Sequence, residues 1–79
     1  MRFGVARAIS PAMIQIELNG ETREISPGST VTGLLAELGL DTRKVAVERN
    51  LEIVPKSRYG ETALNAGDRI EIVHFVGGG

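Results

Sequence analysis

The chain closes on Gly77, Gly78 and Gly79, directly behind the stretch Val73-His74-Phe75-Val76. Glycine at a chain end has no side chain to pack, so this tail is expected to be mobile and as thin as a polypeptide can be. A thin, flexible terminus can thread a narrow channel into the active site of another enzyme. An α-carboxylate has an ordinary pKa of about 3.3–3.7 and is ionised at neutral pH. An ionised carboxylate can attack the α-phosphate of ATP, and the resulting acyl-adenylate is open to a sulfur nucleophile, which gives a thiocarboxylate. This chemistry needs Gly79 to be terminal, as it stands in this sequence. Taken alone, a glycine-rich tail is also what a frayed end or a cloning remnant looks like. Its place behind a final strand, in a chain of this size and element order, gives it weight.

Other side chains offer less. His74 is the single histidine and sits beside the tail, where it could help to position a partner. One histidine is insufficient for a metal site, and a surface or half-buried role fits it better. The chain has no cysteine, which excludes disulfides, Cys-ligated zinc, iron–sulfur clusters and a thiol nucleophile together. Ser29 and Thr30 have no histidine and acid in a catalytic arrangement, so helix capping explains them better than nucleophilic work. Arg43-Lys44 and the Lys56, Arg58 pair can meet an acidic partner, with solvated surface as the default. Gly28, Gly33 and Gly39 do not form a phosphate-cradling pattern.

The elements that must position the tail follow from periodicity. From Met13, apolar Ile14, Ile16 and Leu18 alternate with Gln15 and Glu17, as in a half-buried strand. Asn19-Gly20 is a strong hairpin signal because both residues tolerate positive φ, and it predicts a return strand over 22–26 with Ile25 inward. Pro27-Gly28 ends that strand. Ser29 or Thr30 then caps a helix whose apolar face is Val31, Leu34, Leu35 and Leu38, closed by Gly39 in a left-handed C-terminal position. Gly33 weakens this helix by about 1 kcal/mol relative to Ala, so packing against a sheet must hold it.

Val45 and Val47 open a third strand, Asn50 marks a turn, and residues 51–54 give a short fourth strand closed by Pro55. Residues 56–64 read as an irregular or single-turn helical connection anchored by Tyr59 and Leu64. After the turn Ala66-Gly67-Asp68, a last strand runs over 69–76. It places Ile70 and Ile72 on one face and Val73 and Phe75 on the other. A single sheet covered by one helix has one core face, so Val73 and Phe75 are candidates for an exposed partner site, or for a second cluster beneath the 56–64 connection. The expected fold is α+β: one mixed sheet of four to five strands with one main helix on one face, a β-grasp arrangement.

Residues 1–12 carry Arg2 and Arg7 and no acid, and precede a second methionine, Met13. They read as an extension, disordered or non-native, with a basic docking arm as the functional alternative. The domain is then expected over 13–76, with 77–79 as a flexible tail. At 79 residues, one domain is the sensible count, with little interior to spare for a cofactor or deep cleft. A formal net charge of −1 supplies no global basic field for nucleic acid or an anionic membrane. No apolar run approaches the ~20 residues that span a bilayer. Absence of cysteine in so small a chain tilts the expectation towards the cytoplasm.

With these residues in place, the sequence resembles the thiamine-pathway sulfur carriers of the ThiS family, ubiquitin-like β-grasp proteins. The resemblance runs from Met13 to Gly79. It rests on Met13-Ile14 with Asn19-Gly20, on STVTGLLAELGL, on VAVERNLEIVPKSRY and above all on AGDRIEIVHFVGGG. It departs from the family pattern at Leu51, where a glycine is expected. The resemblance implies a carrier and co-substrate with no catalytic side chains and no stably bound cofactor. A ThiF-type, E1-like enzyme would adenylate Gly79 with MgATP. A cysteine desulfurase system would supply the sulfur of a Gly79 thiocarboxylate, and a ThiG-type thiazole synthase would take that sulfur into thiazole. Gly78 maps onto the penultimate glycine, where a Cβ would obstruct the partner's channel. Gly77 is a spacer, and Phe75 and Val76, with Val73, lie at the strand end that would approach partners.

Three rivals stand beside this reading. The small subunit of molybdopterin synthase shares the fold and a Gly-Gly end, but usually has a proline-containing segment where this chain has His74-Phe75-Val76. A ubiquitin-like protein modifier comes next, and the tail alone does not exclude it. A β-grasp module that binds RNA or a regulatory ligand would need no terminal glycines and would usually show a basic patch. A self-contained enzyme has no convergent acid–base constellation to support it.

Overall fold

The computed structural model describes residues 13–75; residues 1–12 and 76–79, including the expected extension, Val76 and the glycine tail, lie outside the described residues. Alternation at the start produces β1 (Ile14–Leu18) and β2 (Glu21–Ile25), joined in antiparallel register with Leu18 opposite Glu21. Asn19 (φ 48°) and Gly20 (φ 86°) form the two-residue turn between them, and the positive φ at both is what the right-handed strand twist demands of so short a loop. β2 starts and ends one residue earlier than expected.

The helix α1 covers Val31–Glu37. Thr30, not Ser29, is its cap: the Thr30 Oγ1 accepts a hydrogen bond from the Gly33 amide at 3.1 Å. Its far end closes as the glycine predicts. Gly39 has φ 74°, its N–H donates to Ala36 O, and the Leu40 N–H donates to Leu35 O, which satisfies two carbonyls that the helix leaves unpaired. Leu38, the last member of the expected apolar stripe, is the half-buried cap residue.

A 3-10 turn (Thr42–Lys44) leads into β3 (Val45–Arg49), and β4 (Glu52–Ile53) pairs back on it. β4 is shorter than expected because Leu51 belongs to the turn. The Val54 amide still donates to Val47 O, after which Pro55 has no N–H to offer. The connection contains one 3-10 turn (Lys56–Arg58), and β5 (Arg69–His74) completes the fold.

The described sheet has five strands in the order β2-β1-β5-β3-β4, with β1 and β5 parallel and the other pairs antiparallel. The last strand in sequence is thus the central one in space. Val31, Leu34 and Leu35 from the helix join Ile16, Ile25, Val45, Val47 and Ile70 from the sheet in one buried cluster. Val54 after β4, with Tyr59 and Leu64 of the connection, completes it on the same face, and Leu64 N–H and Val31 N–H pair the connection to the start of the helix through Ser29 O and Thr62 O. Burying this set supplies the driving force that a seven-residue helix lacks by itself.

Candidate functional site: the outgoing end of the central strand

The site is the part of β5 that leads to the glycine tail. Cross-strand register fixes the faces. Val45, Val47 and Arg49 stand opposite His74, Ile72 and Ile70 on the core side, whereas Ala46 and Glu48 stand opposite Val73 and Glu71 on the open side. Val73 is accordingly 59% exposed, and among the described residues no helix covers it. Glu48 is also in register with Ile53, which is 72% exposed. The open face therefore presents Val73, Ala46 and Ile53 beside the carboxylates of Glu48 and Glu71. Further along, Arg69 and Glu17 approach to 3.9 Å.

Phe75 combines the two readings expected of it. It is 49% exposed, yet the connection reaches it: the Lys56 Nζ lies 5.0 Å from the centre of its ring. The same ammonium donates to Thr42 O at 3.2 Å and Arg43 O at 3.0 Å. The Phe75 amide donates to Lys44 O at 2.9 Å, so the backbone stays tied to β3 one residue past the strand end. His74 stands opposite the fully buried Val45 but is itself exposed. Val76, Gly77, Gly78 and Gly79 lie outside the described residues.

Arg43, Lys56 and Arg58 bind within the chain itself. Asp41 accepts from the Arg43 amide at 2.9 Å and from two of its guanidinium nitrogens at 3.1 and 3.0 Å; hydrogen bonding by that side chain holds the Asp41 carboxyl at about 2. Arg58 faces Glu61 at 3.4 Å. Lys56 is committed to the carbonyls beneath Phe75.

Sequence reasoning missed a polar knot at the other end of β5. Asp68 is 6% exposed and accepts from the Asn65 amide (2.8 Å), Arg49 Nε (3.1 Å) and Asn50 Nδ2 (3.1 Å). Burial alone would push its carboxyl up; the Asn65, Asn50 and Arg49 donors outweigh that, and the net direction is down. The only signal available was an acid after Ala66-Gly67, indistinguishable from an ordinary turn residue. A cavity of about 310 Å³ lies between β4 and the connection, lined by residues that include Arg49, Ile53 and Arg58, and it does not reach Val73 or Phe75. Among the described residues, no three His, Cys, Asp or Glu side chains gather as a metal site.

A model of the ThiS family matches residues 16–79, from within β1 through the glycine tail. The chain belongs to the ThiS family. The sulfur carrier protein ThiS of Bacillus subtilis is 48% identical over 65 residues, which cover 81% of this chain and 98% of that protein. The crystal structure of a thiamine biosynthesis protein ThiS from Geobacter metallireducens superposes with a TM-score of 0.73 at 29% identity, over 84% of this chain and all of that one. The β-grasp fold expected from the element order is the ThiS fold. A thiazole synthase of Paramagnetospirillum magneticum is 61% identical over 66 residues, 84% of this chain but 20% of that protein. The chain thus spans about a fifth of the length of such relatives, and a second one, from Magnetococcus marinus, repeats the pattern at 48% identity.

Proposed function

We propose that this ThiS domain carries sulfur on the α-carboxylate of Gly79. One carboxylate oxygen attacks the α-phosphorus of ATP and pyrophosphate leaves. A sulfur nucleophile then attacks the acyl carbon, AMP leaves, and the product is the Gly79 thiocarboxylate. In this reading ATP is bound by an E1-like, ThiF-type enzyme, and the chain holds no cofactor of its own. A cysteine desulfurase system supplies the sulfur. The chain acts as a co-substrate in the cytoplasm and contributes no catalytic side chain. The observation that carries the reading is the family match, which continues through the last strand to Gly79.

Gly78 and Gly77 provide the thin segment that enters the partner's channel. Val73, Phe75 and Val76 dock beside it; the exposure of Val73 and Phe75 on a strand that ends just before the tail supports this. The likeness to part of two proteins named thiazole synthase supports a ThiG-type synthase as sulfur acceptor.

Intact-protein mass spectrometry tests the proposal. The chain is incubated with MgATP, the adenylating enzyme and a sulfur donor, beside one version lacking Gly79 and another with one residue added after it. The expected result is exchange of one oxygen for one sulfur in the first and no change in the other two. Sulfur gained by all three, or by none while a ThiS control reacts, overturns it.

A further inference from the structure

The two flanks of β5 end at different levels. On one side β3 accompanies it as far as Val45 opposite His74, and Lys44 O still accepts from Phe75. On the other side the register with β1 stops at Leu18 opposite Ile70, because the chain turns away at Asn19-Gly20. The Asn19 amide makes the last backbone bond, to Ile70 O at 2.9 Å. Beyond that level, no described strand pairs with the β1 side of β5. The Asn19 side chain fills the next step. Its Oδ1 accepts from the Ile72 amide at 2.8 Å, and its Nδ2 lies 3.4 Å from the Ile72 carbonyl oxygen. A side-chain amide thus stands where another strand residue would stand, and it lengthens the ladder by one residue.

We propose that Asn19 is a positioning residue for the carrier's reaction. By holding Ile72 from the β1 side, it fixes the direction in which β5 delivers Val73, Phe75 and the tail to a partner. This inference rests on the carrier reading above. Val73 is the next residue after the clamp, and Phe75 follows two further on. Without Asn19 this outgoing half hangs on β3 alone, and the partner must order it on binding. That ordering costs affinity but leaves the chemistry of the Gly79 carboxylate untouched.

The turn itself permits a clean test. Asn19 has φ 48°, so Asn19→Gly keeps the left-handed turn and removes the clamp. Asn19→Asp keeps an acceptor for the Ile72 amide. Carrier activation is followed by ATP–pyrophosphate exchange with the adenylating enzyme over a range of carrier concentrations, and amide exchange is read at Ile72. Asn19→Gly is expected to raise the KM for the carrier roughly fivefold, about the worth of one or two hydrogen bonds, with kcat unchanged. The Ile72 amide should exchange faster in that variant, and Asn19→Asp should recover most of both effects.

An unchanged KM in Asn19→Gly, or a fall in kcat with KM fixed, overturns the proposal. So does an Ile72 amide in the unaltered chain that exchanges as fast as an open strand edge, a reading that needs no variant. If the unaltered chain supports no exchange of pyrophosphate while a ThiS control does, the carrier reading fails. If unaltered chain and Asn19→Gly react alike, only the role of Asn19 fails.

Discussion

Two turns grip the central strand from opposite sides. Asn19-Gly20 joins β1 to β2, and Asn50-Leu51 joins β3 to β4; both are two-residue turns with positive φ at both positions. In each, the asparagine side chain reaches across to β5. Asn19 Oδ1 accepts from Ile72 near the outgoing end, and Asn50 Oδ1 accepts from the Arg69 amide at 2.9 Å at the incoming end, where the Asn50 amide also donates to Arg69 O. The difference lies in what surrounds them. Both asparagines are exposed, but Asn50 also donates to the buried Asp68, which Arg49 holds as well, whereas Asn19 bonds nothing besides β5 among the described residues. The incoming end is built for stability, and the outgoing end is held by a device that a partner can read. A shared backbone geometry therefore does not imply a shared role; the burial of the groups around it decides.

The largest effect should come from breaking the buried side of the comparison. Asp68→Ala leaves the Asn65 amide, Arg49 and Asn50 without their acceptor. It is expected to cost about 3 kcal/mol and, for a domain of this size, to lower the melting temperature by roughly 10–20 °C. Calorimetry beside Asn19→Gly measures the contrast: a loss in Asp68→Ala no greater than in Asn19→Gly would make the two turns equivalent.

Acid should weaken the same knot reversibly. The Asp68 carboxyl is held below its ordinary value of 3.8 in the folded chain. Its contribution is therefore complete above the unfolded pKa near 4 and is lost as pH falls through the lower, folded value. Asp41, at about 2, titrates in the same window. The difference between the unaltered chain and Asp68→Asn isolates the buried group. Denaturant melts from pH 6 to 2 should draw together for the two as pH falls below 3.8 towards the lower, folded value; parallel curves throughout would mean that the knot does not sense protonation.

The smallest effect tests the sequence difference between the turns. Leu51 has φ 72° and is 73% exposed, so its side chain pays the left-handed penalty and buries little in return. Leu51→Gly makes this turn match Asn19-Gly20 and is expected to stabilise by about 0.5–1 kcal/mol, the relief being partly offset by the added freedom of the unfolded chain. A denaturant midpoint that falls would show that Leu51 earns its place by contacts in the folded chain.

Much of the fold was legible because it rests on local rules. Period two gave β1, the i, i+3, i+4 spacing gave the helix, and Asn-Gly and Gly39 marked where the backbone must turn left-handed. The second turn was legible at Asn50 but its shape was hidden by Leu51, a residue that does not advertise positive φ. Strand ends were displaced by a residue or two, since hydrogen-bond partners, not propensity, terminate a ladder. Of the candidate site, Val73 was placed on the open face by parity alone. The lysine beneath Phe75 was not, because Lys56 and Phe75 meet only after the connection has folded back.

By itself the sequence determined the element order, the identity of the core face, the family and the glycine tail, because periodicity and chain order are properties of neighbours along the chain. Tertiary structure decided what depends on distant residues meeting. It made the last strand the central one, turned Asp68 from a turn residue into a buried acceptor, and set Asn19 against Ile72 across 53 positions of sequence. A side-chain amide has hydrogen-bonding capacity wherever it stands. Only the parallel pairing of β1 with β5 decides which backbone group it faces.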